Sequence, residues 1–100
     1  MRIIALSTLK AFWANDPQYA DAEGPATAWY KQAKEANWKQ PADVKADFGN
    51  ASILQDGRVV FNIAGNKYRL VAWINYDFGV IYVRFIGTHK LYDKINAQTI

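Results

Sequence analysis

The sequence predicts an α+β protein with two N-terminal helices packed on one face of a small, antiparallel-rich sheet and a short C-terminal helix. Three observations predict this architecture. In the first part of the chain, apolar residues recur at helical spacing. After Arg58, apolar and polar residues alternate as they do in strands. Thr88 then stands at a helix-cap position, directly after the last of these alternating residues. The 100 residues suit one modest core, so we expect residues 1–100 to form a single domain.

The N-terminal half predicts one strand and two helices. Arg2–Leu6 is a short apolar run, and Ser7 is expected to cap a first helix that ends at residues 15–17 (Asn-Asp-Pro). A second helix is expected from about Pro25, a favourable first-turn residue, to about Trp38. Its apolar positions at helical spacing are Ala26, Trp29, Ala33 and Ala36. Both helices are expected to contribute residues to the hydrophobic core.

The middle of the chain predicts small connecting elements. Residues 41–48 have the composition of one or two helical turns, closed by Gly49-Asn50. Residues 51–54 are expected to form an edge strand, and Asp56-Gly57 a turn into the central hairpin.

The central hairpin is predicted to turn at Gly65-Asn66, because two such residues tolerate positive φ. This turn pairs Asn62 with Arg69 and Val60 with Val71, and directly paired residues share a face of the sheet. The core face then comprises Phe61, Ile63, Tyr68, Leu70, Ala72 and Ile74. The opposite, basic face comprises Arg58, Asn62, Lys67, Arg69 and Trp73.

A second hairpin is predicted to turn at residues 77–79. An even number of loop residues puts Tyr82 and Arg84 on the basic face and sends Ile81, Val83 and Phe85 into the core. An odd number would bury Arg84 without a partner, which is costly, so we expect the even loop. The basic face is expected to be left open.

The net charge of +3 comes entirely from the second half of the chain. Residues 51–100 hold six Lys or Arg against three acids, whereas residues 1–50 hold six of each. This distribution favours an anionic partner, most commonly nucleic acid, although a solvated basic surface is the alternative. The absence of cysteine excludes disulfides and thiolate chemistry. With no span-length apolar run and no visible signal peptide, we expect a cytoplasmic protein without membrane contact.

Three blocks of the sequence carry a family resemblance. They read VFNIAGNKYRL, IYVRFIGTHK and YDKI, in that order along the chain. Together they resemble HigB-type toxins of the RelE superfamily, and the resemblance covers nearly the whole chain. It implies a RelE-like fold and a ribosome-dependent endoribonuclease that cuts translated mRNA. It also implies a HigA-type helix-turn-helix antitoxin as partner, through which alone operator DNA would be contacted.

The resemblance also implies roles for particular residues. Arg69 corresponds to a phosphate-binding arginine and Arg84 to the arginine of the last strand. The His-Lys pair and the tyrosine of the closing helix correspond to His89, Lys90 and Tyr92. This chain departs from the family at one position, because Leu91 stands where the family commonly has Glu before that tyrosine. The alternative to a toxin is therefore a catalytically weak or inactive RelE-like module that binds RNA or its antitoxin.

Metal-free RNA cleavage needs a base near the 2′-hydroxyl, cations around the phosphate and an acid at the leaving oxygen. We expect Arg69 and Arg84 to clamp the phosphate, and His89 and Tyr92 to share the acid and base roles, with no cofactor or metal. Which of the two is the base stays open. The expected RNA-binding residues are Lys67, Lys90, Asn62, Trp73 and Tyr82.

Each assignment has a structural alternative. His89 could be an ordinary helix-start residue, and Tyr92 could simply pack the helix on the sheet. Trp73 and Tyr82 could stack bases or be covered by the terminal helix.

Overall fold

The computed structural model describes residues 1–100 and contains five strands, four α-helices and one 3₁₀ helix. The N-terminal elements are β1 (Arg2–Ile4), α1 (Leu6–Ala14), a 3₁₀ helix (Pro17–Ala22), α2 (Glu23–Glu35) and α3 (Pro41–Asp47). The remaining elements are β2 (Ser52–Ile53), β3 (Arg58–Ile63), β4 (Tyr68–Asn75), β5 (Val80–Thr88) and α4 (His89–Tyr92). None of the helices is both long enough and apolar enough to cross a membrane.

The two predicted N-terminal helices are present, with different starts. α1 begins directly after Ala5, whose backbone is extended, so Ser7 lies inside the helix and the prediction that it caps α1 was wrong. α2 begins at Glu23, before Pro25, because the unpredicted 3₁₀ helix runs straight into it. That 3₁₀ helix starts at a cap: the Asp16 carboxylate accepts a hydrogen bond of 3.1 Å from the backbone N–H of Gln18.

The sheet has the strand order β1-β5-β4-β3-β2. β1 is parallel to β5, and every other pairing is antiparallel. The predicted register of the central hairpin is confirmed, with Asn62 opposite Arg69 and Val60 opposite Val71. The left-handed residues of its turn are Ala64 and Gly65, at φ 57° and 69°, in place of the predicted Gly65-Asn66.

The second hairpin has the predicted even loop. Asn75 pairs with Val80, which leaves the four residues 76–79 in the turn, and Ile81 and Val83 are buried in the core. A β-bulge follows: Val83 pairs with Ala72 and Phe85 with Val71, so Arg84 is the extra residue of β5. The bulge reverses the alternation, so the prediction that Phe85 lies on the core face was wrong.

The main core of 18 buried residues lies between the N-terminal helices and the inner face of the sheet. Its members include Leu9 of α1, Trp29 of α2 and Phe61 of β3. The prediction that both N-terminal helices contribute residues to the core is therefore confirmed. The six residues predicted for the core face of the central hairpin are all members of this core.

A second, smaller core lies on the opposite face, called the outer face here. Val60 and Val71 are buried there against Ala97, and Phe85, Tyr92 and other apolar side chains pack around them. Residues 89–100, the C-terminal segment, thus cover the centre of the outer face, and the prediction of an open basic face was wrong. By burying apolar side chains of β3, β4 and β5, this segment stabilises the folded state.

Polar contacts fasten the C-terminal segment at its far end. The Arg58 guanidinium donates hydrogen bonds of 3.2 and 2.8 Å to the backbone oxygen of Ile100. The side chain of Gln98 accepts from the backbone N–H of Gln55 at 2.8 Å and donates to its carbonyl at 2.7 Å. The segment is therefore held by backbone and side-chain bonds as well as by apolar packing.

The turn before β3 requires glycine. Gly57 has φ +81°, and an added Cβ would lie 2.6 Å from the carbonyl oxygen of Ile74. We expect Gly57→Ala to lower the free energy of unfolding by about 2 kcal/mol, from backbone strain and this clash. Urea denaturation measures the change. Gly49→Ala is the control, because a Cβ there meets nothing within 4 Å; equal stability of the two variants would contradict the argument.

Candidate nucleic-acid interface

The predicted functional residues of the outer face fall into two groups in the structure. The first group, the Arg69 cluster, comprises Arg69, His89 and Tyr92. The second group, the aromatic platform, comprises Trp73, Tyr82 and Arg84.

The Arg69 cluster forms where β4 passes under α4. Arg69 pairs with Asn62 of β3 on one side and with Gly87 of β5 on the other. Its guanidinium carbon lies 4.8 Å from the centroid of the Tyr92 ring, a cation–π contact. The Nε of Arg69 is buried and has no hydrogen-bond partner in the chain. Buried donors are normally bonded, so this guanidinium is suited to an acceptor supplied from outside.

The start of α4 places the other two members of this cluster. The Thr88 hydroxyl accepts a hydrogen bond of 3.2 Å from the backbone N–H of Leu91, which confirms the predicted cap. His89 follows directly, and its Nε2 is buried without a hydrogen-bond partner. Tyr92 lies one turn later, its ring 6.4 Å from that of Phe85. The two adjacent elements therefore bring a cation, an imidazole and a phenol to one region, two of them with unused polar atoms.

Gly87 is part of this arrangement and was not singled out from the sequence. A Cβ at this position would lie 2.6 Å from the Phe85 ring and 3.2 Å from the Cβ of Leu91. Its lack of a side chain allows the end of β5, the Phe85 ring and α4 to pack closely. The only sequence signal was a glycine immediately before the cap residue. Leu91 itself is 37% exposed, so it presents apolar surface where the family resemblance implies Glu.

The aromatic platform lies at the other end of the outer face. The rings of Trp73 and Tyr82 stack with centroids 5.0 Å apart and an interplanar angle of 27°. The Arg84 guanidinium lies 6.0 Å from the first ring centroid and 5.7 Å from the second. The Trp73 indole N–H donates a 2.8 Å hydrogen bond to the carbonyl of Asp56, which holds the ring in place. Arg84 is exposed and both rings are partly exposed, so the C-terminal segment leaves the platform accessible.

The two groups do not meet. Arg69 and Trp73 are four residues apart on β4, about 13 Å at roughly 3.3 Å per residue, with Val71 of the second core between them. Arg84 contacts the rings of the platform, whereas Arg69 contacts Tyr92. The structure therefore places the two arginines predicted to clamp one phosphate in different groups.

Lys67 does not belong to either group. Its ammonium forms an ion pair with Asp21 of the 3₁₀ helix, and the other carboxylate oxygen of Asp21 accepts a hydrogen bond from the Tyr68 hydroxyl. Tyr68 is a core residue of the inner face, so Lys67 turns towards the helices. The prediction that it shares a face with Arg69 was wrong, because Asp21 offers a partner from a distant part of the chain.

Three groups at this ion pair have shifted pKa values. The hydrogen bond from Lys67, followed by that from Tyr68, lowers the pKa of the Asp21 carboxyl below its usual 3.8. The hydrogen bond to Asp21 raises the pKa of Lys67. Burial, followed by the hydrogen bond to Asp21, raises the pKa of Tyr68.

The two remaining predicted RNA-binding residues lie beside the Arg69 cluster. Asn62 is partly buried and is the cross-strand neighbour of Arg69. Lys90 is exposed on α4. The outer face thus combines exposed cations, stacked aromatic rings and unpartnered buried donors, the features of a nucleic-acid-binding surface.

Comparison with known proteins defines the family. Residues 22–95 match the HigB_toxin family, described as the RelE-like toxic component of a toxin–antitoxin system. The match spans most of the chain, including all the residues of both groups, and the chain belongs to this family. The α+β architecture described above agrees with a RelE-like fold.

Three curated relatives share 36% identity with this chain over 62 residues. They are the "mRNA interferase toxin HigB" of Escherichia coli K12 and the "mRNA interferase HigB" of Escherichia coli O157:H7 and of Shigella flexneri. The matched region covers 60% of this chain and 60% of each relative.

The ion pair of Asp21 predicts a pH-dependent stability. Because the pKa of Asp21 is lowered on folding, its contribution is present above the unfolded pKa near 3.8 and is lost as the pH falls through the folded pKa. We expect Asp21→Asn to have a lower melting temperature than the wild type at pH 7, and the gap to close in strong acid. Melting curves from pH 7 to pH 2 test this expectation.

Asp77→Asn is the control for this experiment, because Asp77 is exposed in the loop between β4 and β5. It is expected to melt close to the wild type throughout the range. A gap for Asp21→Asn that stays constant with pH would show that the substitution acts through something other than the carboxylate charge.

Proposed function

We propose that this protein is the toxin of a type II toxin–antitoxin system and cleaves translated mRNA as a ribosome-dependent, metal-independent endoribonuclease. The observation that carries the proposal is the Arg69 cluster, in which an arginine with a buried, unpartnered Nε contacts the ring of Tyr92, and His89, three residues before Tyr92, has a buried, unpartnered imidazole nitrogen. Membership of the HigB_toxin family and the names of the relatives, both mRNA interferases, support it.

In this proposal Arg69 binds the scissile phosphate. Its guanidinium suits bidentate contacts with phosphoryl oxygens, and its Nε has no competing partner in the chain. Stacking on Tyr92 limits the motion of the guanidinium and delivers the phenol close to the bound phosphate. Arg69 thereby stabilises the negative charge that grows on the phosphoryl oxygens in the transition state.

His89 and Tyr92 carry the proton transfers between them. The 2′-oxygen attacks phosphorus as one group takes its proton, the bond from phosphorus to the 5′-oxygen breaks, and the other group protonates the leaving 5′-oxygen. The products are a 2′,3′-cyclic phosphate and a 5′-hydroxyl. The helix cap at Thr88 sets the positions of both side chains, since they lie on the first turn that it starts.

The aromatic platform binds nucleotides that flank the cleaved bond. Its Trp73 lies about 13 Å along β4 from Arg69, by the spacing of residues in a strand. Because the Arg84 guanidinium lies against the rings of the platform and that of Arg69 against Tyr92, we assign the two arginines to different phosphates. Trp73 and Tyr82 offer partly exposed rings for base stacking, and Arg84 beside them offers a cation for the next phosphate. Lys90 and Asn62 complete the RNA contacts, whereas Lys67, paired with Asp21, is left out of them.

The partners follow from the same proposal. A HigA-type helix-turn-helix antitoxin neutralises the toxin, and operator DNA is contacted only through that antitoxin. The protein acts in the cytoplasm, where ribosomes hold the mRNA, and residues 1–100 work as a single toxin domain. The excess of cations in residues 51–100 supports association with ribosome-bound RNA.

A second candidate function is a RelE-like module that binds RNA or its antitoxin without cutting RNA. Leu91 favours it, because an exposed leucine stands on α4 beside Tyr92 where the family resemblance implies a glutamate. A leucine there supplies neither a charge for the site nor a carboxylate for a capping box with Thr88.

The first test concerns Arg69. Purified protein is added to an in vitro translation reaction, and mRNA 5′ ends are mapped by primer extension. We expect Arg69→Ala to reduce cleavage by about 10²–10³-fold while the circular dichroism spectrum stays unchanged, because one phosphate-binding cation is lost. Arg2→Ala, which removes an exposed cation from β1, is the control and is expected to cut like the wild type.

Two outcomes of this experiment decide between the candidate functions. Cleavage that requires ribosomes and disappears in Arg69→Ala supports the toxin. A folded wild-type protein that binds the antitoxin and cuts nothing supports the binding module, and Leu91→Glu then tests whether the missing carboxylate is the reason. Full activity of Arg69→Ala would reject the assigned site.

The second test concerns the aromatic platform. We expect Tyr82→Ala to raise the KM for mRNA cleavage about tenfold with little change in kcat, since a lost stacking contact costs about 1–3 kcal/mol of binding. Phe78→Ala is the control, because Phe78 is an exposed aromatic residue in the neighbouring turn. A fall in kcat at unchanged KM would place Tyr82 in the chemical step and remove it from the platform.

A further inference from the structure

The largest surface concavity of the protein is a groove between α1 and α2, called the helix groove here. It encloses about 660 Å³. The residues that line it are Leu6, Leu9, Lys10, Trp13, Ala26, Thr27, Tyr30, Lys31, Lys34 and Glu35. None of these residues belongs to the Arg69 cluster or to the aromatic platform.

The floor of the helix groove is apolar. Leu9 and Ala26 are fully buried beneath it, and Leu6, Trp13 and Tyr30 are partly exposed along it. The partly exposed apolar side chains of the two helices leave apolar surface in contact with water. A partner side chain that buried this surface would bind favourably.

The rim of the helix groove is cationic on both sides. Lys10 projects from α1, and Lys31 and Lys34 project from α2, against the single acid Glu35. The only ion pair in the structure joins Lys67 to Asp21, so none of the three rim lysines is neutralised within the chain. The ammonium of Lys34 lies 5.9 Å from the ring centroid of Tyr30 and forms no ion pair.

We propose that the helix groove docks an acidic amphipathic helix of the antitoxin, an inference that rests on the proposed function. Apolar anchors spaced i, i+3, i+4 and i+7 on such a helix fit the floor between α1 and α2, as helices pack by fitting ridges into grooves. Glu and Asp on its flanks meet the lysines on both sides. Charge complementarity of this kind sets the orientation and speeds association.

An acidic helix fits this surface better than RNA does. The centre of the groove is lined by leucine and alanine side chains, which gain most from contact with apolar groups and offer nothing to a phosphate. The lysines stand at the margins, where a nucleic acid would contact them without filling the floor.

The position of the helix groove has a consequence for the complex. α1 and α2 pack on the inner face of the sheet, whereas the Arg69 cluster and the aromatic platform lie on the outer face. A helix seated in the groove leaves both of those groups uncovered. The groove variants therefore alter antitoxin affinity separately from RNA cleavage.

The test measures affinity for the antitoxin encoded by the neighbouring gene. Isothermal titration calorimetry is performed with Arg69→Ala protein, which removes toxicity during expression, carrying Lys31→Glu and Lys34→Glu together. We expect binding at low salt to be at least tenfold weaker than for Arg69→Ala alone, because the reversed charges repel the acidic flanks of the helix. Thr27→Trp, which fills the groove with a ring, is expected to weaken binding without changing any charge.

A matched control and a separate readout decide the result. Lys31→Glu alone is compared with Lys39→Glu, which reverses an exposed lysine outside the groove and is expected to change affinity less than twofold. In the otherwise wild-type protein, the groove variants are expected to cut mRNA normally in the absence of antitoxin. Cleavage and antitoxin binding thus report separately on the proposed function and on the helix groove.

Three outcomes would overturn the assignment of the helix groove. The first is equal affinity of the groove variants and Lys39→Glu. The second is unchanged antitoxin affinity with reduced mRNA cleavage, which would make the groove an RNA surface. The third is no binding of the antitoxin by the Arg69→Ala protein or the wild type. Absence of mRNA cleavage by the wild type would reject the enzymatic proposal and still leave the affinity comparison decisive for the groove.

Discussion

The one extra residue at Arg84 in the pairing of β4 with β5 determines which face every later side chain of β5 occupies. Before the bulge, Ile81 and Val83 point into the main core; after it, Ile86 does so and Phe85 points outward. This reversal places an aromatic ring beside Val60 and Val71 on the outer face. The resulting apolar strip is the surface on which the C-terminal segment packs.

The candidate site depends on that packing. The C-terminal segment begins at a capped turn and is held further on by the second core, by the bonds of Arg58 to Ile100 and by those of Gln55 to Gln98. Held in this way, α4 places Tyr92 over the Arg69 guanidinium. Structural packing and candidate chemistry therefore share one ring, since Tyr92 contacts both the second core and the arginine.

The two faces of the sheet lead to different kinds of surface. The inner face is closed by α1 and α2, and the outer sides of these helices form a groove with an apolar floor and lysines on both rims. On the outer face, the C-terminal segment covers the centre, and the Arg69 cluster and the aromatic platform lie at the two ends. The chain belongs to the HigB_toxin family, and the proposals above assign the outer face to RNA and the helix groove to a protein partner.

Short-range patterns in the sequence were sufficient for the register of the central hairpin, the even loop of the second hairpin, the helix cap at Thr88 and the inward positions of the strand residues up to Val83. Alternation, turn residues and caps act over a few neighbouring positions, so they can be read directly from the chain. Only the tertiary structure decided the bulge at Arg84, the cover over the outer face and the ion pair of Lys67 with Asp21, 46 residues away. These three features depend on which residues distant in sequence come together to bury apolar surface or to pair a charge. No local sequence pattern specifies such partners.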